Sequence, residues 1–158
     1  MALLRSRRLE TVLGAPVDEL SARNIEVLAG NGVSEAFDLD FKGTLYGNSD
    51  KERRDLCGDV AALANTSGGV IIGGVEEDEH AIAAATPGVE LGDAERNRML
   101  QTLASGVAPL PALDVISVPS TDDPSRGWFV LAVPRSTRAP HAVVVNEGYR
   151  FPVRTGTT

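Results

Sequence analysis

A continuous apolar run over residues 70–75, Val-Ile-Ile-Gly-Gly-Val, most constrains what this chain can fold into. A strand that is apolar on both faces is typical of the centre of a sheet covered by other elements. The run follows Asn-Thr-Ser-Gly-Gly at residues 65–69, a segment typical of a helix end because glycine adopts the left-handed turn that stops a helix. The sequence therefore predicts a helix that leads directly into a central strand.

Alternating or β-branched segments predict further strands. These segments are residues 37–42, 112–118, 127–133, 141–145 and 149–153. The first alternates strictly, so Phe37, Leu39 and Phe41 are expected to face inward. The next two flank a turn and are expected to pair as a hairpin. The last two are joined by Asn146-Glu147-Gly148 and belong to the tail.

Three amphipathic patterns predict helices. The first covers residues 17–28 and ends at Gly30-Asn31-Gly32. The second follows the N-cap sequence Ser49-Asp50, and the third begins at Asp93 and stops before Pro109. Together the patterns predict an α+β or α/β fold, with a single mixed β-sheet packed against about three helices. Residues 1–33 are interpreted as an N-terminal basic segment and helix, and residues 34–158 as the main domain.

Composition restricts the class of protein. No apolar run approaches the roughly 18 residues that span a bilayer, and no export signal is recognisable at the start. The single cysteine, Cys57, excludes an internal disulfide and a cysteine-based zinc site, and it is expected to be a small buried hydrophobe. These features favour a cytoplasmic protein.

Charge is unevenly distributed along a chain whose net charge is −7. Residues 124–158 hold five arginines against the single acid Glu147, whereas the middle of the chain is acidic. This polarity either places an anion over a cluster of carboxylates or forms a solvated acidic surface.

Several separated motifs, taken in order, resemble the Schlafen AlbA-type domain. They are Asp40-Phe41-Lys42, then Ala64-Asn65-Thr66-Ser67-Gly68-Gly69, Gly74-Val75-Glu76-Glu77, and finally Arg154-Thr155-Gly156. The resemblance covers about residues 34–156, and the ordered set is more specific than any one motif. By this resemblance, residues 34–158 are expected to form a Schlafen AlbA-type domain.

The resemblance implies a metal-dependent endoribonuclease that cleaves structured RNA such as tRNA. The three carboxylates of such centres correspond to Glu35, Asp40 and Glu77, which would bind Mg²⁺ or Mn²⁺, although two of them exchange Asp and Glu relative to the family pattern. Hard carboxylate oxygens suit these ions, and the ions neutralise charge that develops during phosphodiester cleavage. By analogy, the resemblance also suggests a homodimer and a role in phage defence.

Each of these residues has an alternative interpretation. Because residues five apart on an extended strand face opposite sides, Glu35 must lie outside the strand that carries Asp40, and Asp38 is the natural same-face neighbour. In this alternative, Asp40 only pairs with Lys42, and Glu77 lies in a solvated turn. Lys42 either contacts a scissile phosphate or extends beside Asp40. Residues 65–69 either bind phosphate through backbone N–H groups or, as we expect, only end the helix.

Basic residues of the tail are candidates for contacts to a nucleic-acid backbone, or they serve solubility alone. These candidates are Arg135, Arg138, His141, Arg150 and Arg154. Two alternative functions compete with the nuclease. One is a non-catalytic module that binds nucleic acid or a nucleotide, and the other is a protein-interaction domain.

Overall fold

The computed structural model describes residues 4–145 and 148–157. It contains four α-helices and one 3₁₀ turn, Val17–Glu19. The helices are α1 (Arg7–Leu13), α2 (Ala22–Gly30), α3 (Asp50–Asn65) and α4 (Asp93–Gly106). The predicted helices that begin after Ser49 and at Asp93 are confirmed. The Ser49 side chain accepts from the Glu52 N–H, and the Glu52 carboxylate accepts in return from the Ser49 N–H.

The main sheet is mixed and five-stranded. It consists of β1 (Leu39–Lys42), β2 (Gly68–Gly73), β5 (Val89–Glu90), β7 (Asp114–Pro119) and β8 (Arg126–Pro134). Strand β2 lies between β1, to which it is parallel, and β8, to which it is antiparallel. All its residues are buried, so the predicted central strand is confirmed. The predicted hairpin is also confirmed, with Val115 opposite Leu131 in β7 and β8.

The sequence predicted a single sheet, but the described residues also form two smaller sheets. Strands β3 (Glu76–Glu77) and β4 (Ala83–Ala85) form a short hairpin. Strands β6 (Val107–Ala108), β9 (Ala142–Val145) and β10 (Gly148–Arg150) form a three-stranded sheet. The two predicted tail strands are present and pair with each other, but residues 151–153 are not strand. The predicted turn at Asn146 and Glu147 lies outside the described residues.

The N-terminal segment differs from its prediction. Helix α1 was not predicted, and the helix predicted over residues 17–28 is instead a 3₁₀ turn followed by α2, which begins after Ser21. Ser21 and Asn24 form a capping box, so the helix starts where its N–H groups find side-chain acceptors. Leu9, Leu13, Ile25 and Leu28 pack in the same cluster as buried residues of β1, β2 and β8.

Strand β1 is buried on both faces. Leu39 and Phe41 lie in the core as predicted. Asp38 and Asp40 are also buried, whereas Phe37 is exposed and lies under the guanidinium group of Arg8, contrary to its predicted inward orientation. The acidic residues are therefore enclosed in the fold, where their partners matter more than on a solvated face. Within the described part of the chain, no helix is both long and apolar enough to span a bilayer.

Candidate active site

Three carboxylates from separate segments meet around Glu35. Asp40 and Glu77 lie close enough to the Glu35 carboxyl group that both raise its pKa. Glu35 Oε1 also accepts a 2.8 Å hydrogen bond from the backbone N–H of Phe41. The fold thus brings together the three acids that the sequence selected.

Backbone hydrogen bonds explain why Glu77 lies near Glu35. Residues just before β1 bond to the loop and to the second strand of the β3–β4 hairpin: the Glu35 N–H donates to Ala81 O at 2.7 Å, and the Ala83 N–H donates to Val33 O at 2.8 Å. Strand β3, which carries Glu77, pairs with β4 in that hairpin. The hairpin is consequently fixed beside the segment that carries Glu35.

A tight turn explains how Glu35 reaches Asp40. Ala36 and Leu39 exchange backbone hydrogen bonds of 3.0 and 3.2 Å, so the chain reverses just before β1. Glu35 therefore lies in a loop that folds back along the strand, and its side chain bonds to Phe41 in the strand. The prediction that Glu35 lies outside the strand is confirmed.

The proximity of the acids changes the protonation of Glu35. Its pKa is raised to about 8, first because burial removes water from the carboxylate. The hydrogen bond from Phe41 lowers the pKa, while the neighbouring Asp40 and Glu77 raise it. Glu35 is therefore largely protonated at neutral pH when no cation is bound.

Asp40 lies between two cations. Lys42 Nζ is 3.2 Å from Oδ2, and Arg154 Nη2 is 3.8 Å from Oδ1. The Asp40 residue is only 6% exposed, and its Oδ2 is buried. Asp40 Oδ2 thus has an ion-pair partner but no hydrogen-bond donor among the described residues.

Asp59 and Tyr46 extend the site, and the sequence interpretation missed both. The Tyr46 hydroxyl donates a 2.5 Å hydrogen bond to Asp59 Oδ2, and Lys42 Nζ is 3.5 Å from the same oxygen. Burial raises the pKa of Asp59 and raises that of Tyr46 well above its usual value. The sequence did contain a signal for Asp59, which lies next to the buried residues of α3. An acid in that position needs a partner.

The three acids are the type of ligand that a divalent cation prefers, but they do not form a complete metal site. All three acids offer hard oxygen ligands, and Asp40 Oδ2 is an unsatisfied acceptor. Among residues 4–145 and 148–157, however, no three His, Cys, Asp or Glu side chains are arranged so that they could hold a metal ion. Glu35 adjoins both other acids, but the three do not surround one position. Because Glu77 is exposed, its side chain can turn without repacking the core.

Comparison with known proteins identifies the family. A family model described as Schlafen, AlbA_2 matches residues 35–158. This chain belongs to the Schlafen AlbA_2 family. The family is associated with nucleic acids, and the prediction of family membership is confirmed. No match was found among curated proteins.

Several solved structures resemble this Schlafen AlbA_2 chain. One of them is the crystal structure of the DIP2311 protein from Corynebacterium diphtheriae, at 19% sequence identity and a TM-score of 0.48. The match covers 94% of this chain and 27% of that chain, so this chain spans little more than a quarter of the length of that protein.

The Ala-Asn-Thr-Ser-Gly-Gly motif of this Schlafen AlbA_2 domain fastens the tail to α3. The Asn65 amide donates to His141 O at 2.9 Å and to Pro152 O at 2.8 Å, and its oxygen accepts from the His141 N–H at 2.6 Å. Thr66 Oγ1 accepts from the Arg154 N–H at 3.0 Å. The motif ends the helix as expected, and its side chains also hold the tail.

Two predicted nucleic-acid contacts of the Schlafen AlbA_2 domain are buried. His141 has no exposed surface, and its Nδ1 lies 2.6 Å from Pro109 O. Arg154 is 8% exposed, and its guanidinium group donates to Ala36 O at 2.9 Å. Neither side chain reaches the surface where a phosphate would lie, so both have internal roles in this structure. Arg135, Arg138 and Arg150 are exposed, and their contact with nucleic acid stays a prediction.

Asp38, the alternative partner of Asp40, has a different role. It accepts hydrogen bonds from Arg8 Nη2 at 2.7 Å and Nε at 3.1 Å, and it is 5% exposed. This bidentate pair ties α1 of the Schlafen AlbA_2 chain to the beginning of β1. Asp38 is not among the groups that act on Glu35.

Proposed function

We propose that this chain is a metal-dependent endoribonuclease that cleaves structured RNA such as tRNA. The observation that carries the proposal is the convergence of Asp40 and Glu77 on the carboxyl group of Glu35. Clustered carboxylates repel one another unless a proton or a cation lies among them, so such an arrangement is costly without a ligand. A divalent cation is the ligand that its oxygen donors suit.

Glu35, Asp40 and Glu77 would hold Mg²⁺ or Mn²⁺. When bound, the ion would neutralise charge that develops on the phosphodiester and help to generate the attacking oxygen nucleophile. Glu35 is also held in position, because its carboxyl group accepts a hydrogen bond from the Phe41 N–H in β1. The residue therefore presents its remaining oxygen from a rigid support.

Lys42 is the residue proposed to orient the scissile phosphate. Its ammonium group lies beside Asp40, and the side chain is 36% exposed, so it can reach both the acids and an incoming substrate. Asp59 forms a second ion pair with the same ammonium group, with Oδ2 3.5 Å from Lys42 Nζ. The two acids hold Lys42 in place while its exposed surface attracts the phosphate.

The decisive experiment compares two neighbouring glutamates on β3. Glu77→Gln removes an acid of the cluster, whereas Glu76→Gln removes one that does not act on Glu35. Both residues are exposed, so neither change should affect folding. We expect metal-dependent cleavage of tRNA by the wild type and by Glu76→Gln, and a loss of at least about tenfold in Glu77→Gln. Equal activity of the two variants would reject this centre.

A second candidate function is nucleic-acid binding without cleavage. It is favoured by the two cations that already face Asp40, since Lys42 and Arg154 neutralise part of the charge that a metal ion would otherwise balance. The same assay separates the two functions. Salt-sensitive tRNA binding with no cleavage in Mg²⁺ or Mn²⁺ would support the binding module and reject the nuclease.

A further inference from the structure

A polar cavity of about 600 Å³ lies away from the carboxylates, between α3, α4 and β9. None of Glu35, Asp40, Glu77 and Lys42 lines it. Its volume is within the range typical of small-molecule sites. In a chain with a net charge of −7, its lining is unusual, because three arginines and one acid provide the charged groups.

The arginines lie at one end of the cavity, which we call the cationic end. Arg53 and Arg54 belong to the first turns of α3, and Arg98 belongs to the first half of α4. The Arg98 guanidinium is fixed by bonds of 2.5 and 3.0 Å to the carbonyl groups of Tyr46 and Gly47, and by a 2.7 Å ion pair with Glu95 of its own helix. These contacts hold a cation in place before any ligand arrives, which reduces the entropy lost on binding.

The other two arginines differ in their partners. Arg53 bonds to Asp50 at 2.6 Å, and this acid is the one that lines the cavity. Arg54 is exposed and has no carboxylate within ion-pair distance among the residues that the structure describes. Its guanidinium group is available for two parallel hydrogen bonds to a phosphate group.

The opposite end of the cavity is less polar. It is formed by Cys57, Gly106, Val143 and Val144. Cys57 lies one turn beyond Arg53 and Arg54 along α3, and its thiol is 3.6 Å from Thr102 O in α4. A Cβ atom on Gly106 would lie 2.5 Å from Cys57 Sγ, so the absence of a side chain there lets the two helices approach. Val144 is 38% exposed on β9.

Polar side chains lie between the two ends. Gln101, Thr102 and Ser105 belong to the face of α4 that lines the cavity. Ser105 Oγ bonds to backbone carbonyl groups of its own helix at 3.1 and 3.2 Å. Gln101 is exposed, so its amide can serve as both donor and acceptor toward a ligand.

We propose that this cavity binds a nucleoside phosphate. The phosphate groups would lie on Arg54 and Arg98 at the cationic end, and the base would lie against Val144, the exposed valine of β9. The order of a charged end, hydrogen-bonding groups and an apolar end matches the order of phosphate, ribose and base. The proposal does not depend on the nuclease function, because none of the carboxylates of that centre lines the cavity.

Calorimetry with ATP in EDTA tests the proposal on the full chain. The chelator prevents metal-mediated binding at the carboxylates. We expect measurable binding of ATP, at least about tenfold weaker binding of adenosine and of pyrophosphate, and at least about tenfold weaker ATP binding by Arg54→Gln. Arg23→Gln makes the same change of charge on an exposed face of α2 and should bind ATP like the wild type.

A second pair of variants tests the apolar end. Val144→Asp should weaken the binding of ATP more than that of pyrophosphate, whereas Val153→Asp, on the exposed tail, should change neither. Three results would overturn the proposal: no heat with ATP, equal weakening by Arg54→Gln and Arg23→Gln, or pyrophosphate that binds as well as ATP. Binding of a short RNA that Arg54→Gln abolishes, without binding of ATP, would also overturn it and assign the cavity to RNA.

Discussion

Arg154 extends from the tail to the buried carboxylate of Asp40, with Nη2 3.8 Å from Oδ1, and also bonds to the carbonyl group of Ala36. The Thr66 side chain positions the Arg154 backbone, and Asn65 holds the preceding Pro152. The end of α3, the tail and the turn before β1 are thus connected through one residue, Arg154, by its backbone N–H and its guanidinium group. This arrangement explains why Ala-Asn-Thr, Asp-Phe-Lys and Arg-x-Gly occur together in one chain.

Replacement of Arg154 should therefore destabilise the fold. Arg154→Gln removes the donor to Ala36 O and leaves Asp40 with Lys42 as its remaining cation, and we expect a loss of about 2–4 kcal/mol in the free energy of unfolding. Urea denaturation followed by circular dichroism measures this loss. In Asp40→Asn, the same Arg154 change should cost less, because no buried charge is left unbalanced. Equal costs in both backgrounds would show that the ion pair contributes nothing.

Glu35 should make the stability of the metal-free protein depend on pH. Its pKa is about 8 in the fold, above the ordinary value of 4.5, so its contribution is fully present below about pH 4.5 and is lost as pH rises through 8. Glu35→Gln should remove this dependence and be more stable than the wild type above pH 8. The difference should be on the order of 1 kcal/mol, because solvent still screens this partly buried carboxylate.

Denaturation in EDTA at several pH values measures this effect. The matched control is Glu76→Gln, which lies on β3 and does not act on Glu35. It should retain the pH dependence of the wild type. A wild type and a Glu35→Gln variant that lose stability in parallel between pH 5 and 9 would contradict the raised pKa.

The sequence predicted those parts of the site that depend on local patterns. Strict alternation located β1. Because residues five apart on a strand face opposite sides, the spacing of Glu35 and Asp40 placed Glu35 outside that strand. The apolar run at 70–75 located the central strand, because only a strand covered on both faces is apolar throughout. These inferences need only neighbouring residues.

The missed features depend on contacts between distant segments. Arg154 and His141 look like surface groups in the sequence, and only the tether from Asn65 and Thr66 brings the tail into the interior. Phe37 was placed inward by alternation, but the Ala36–Leu39 turn precedes the strand and turns its side chain outward. Asp38 is buried because α1, which was not predicted, supplies Arg8.

Gly69 should tolerate no side chain. A Cβ atom there would lie 2.5 Å from Asp38 O, because β1 and β2 pair closely at this point. Gly69→Ala should cost about 2–4 kcal/mol in the free energy of unfolding, since backbone rather than a flexible side chain must move. Gly30→Ala at the end of α2 meets nothing within 4 Å and should be neutral or slightly stabilising. Similar melting temperatures for both variants would contradict the close approach.

Arg8 should matter far more than its neighbour Arg7. Arg8→Ala leaves the buried Asp38 carboxylate without its bidentate partner, and we expect a cost of about 1–3 kcal/mol. Arg7→Ala changes an exposed residue of the same helix and should stay within about 0.5 kcal/mol of the wild type. Urea denaturation of both variants measures the costs. If the two changes cost the same, the Arg8 pair does not hold α1 on the sheet.

The exposed tail arginines should account for part of the salt dependence of RNA binding. Each phosphate contact that is lost lowers the slope of log K against log salt by roughly 0.7–0.9. Changing Arg135, Arg138 and Arg150 together to glutamine should therefore lower that slope by about 2 to 3, as measured by fluorescence anisotropy with labelled tRNA. His141→Gln should leave the slope unchanged in whatever fraction remains folded, because the imidazole is buried. A triple variant with the slope of the wild type would assign these arginines to solubility, since counterions are released only where a cation actually meets a phosphate.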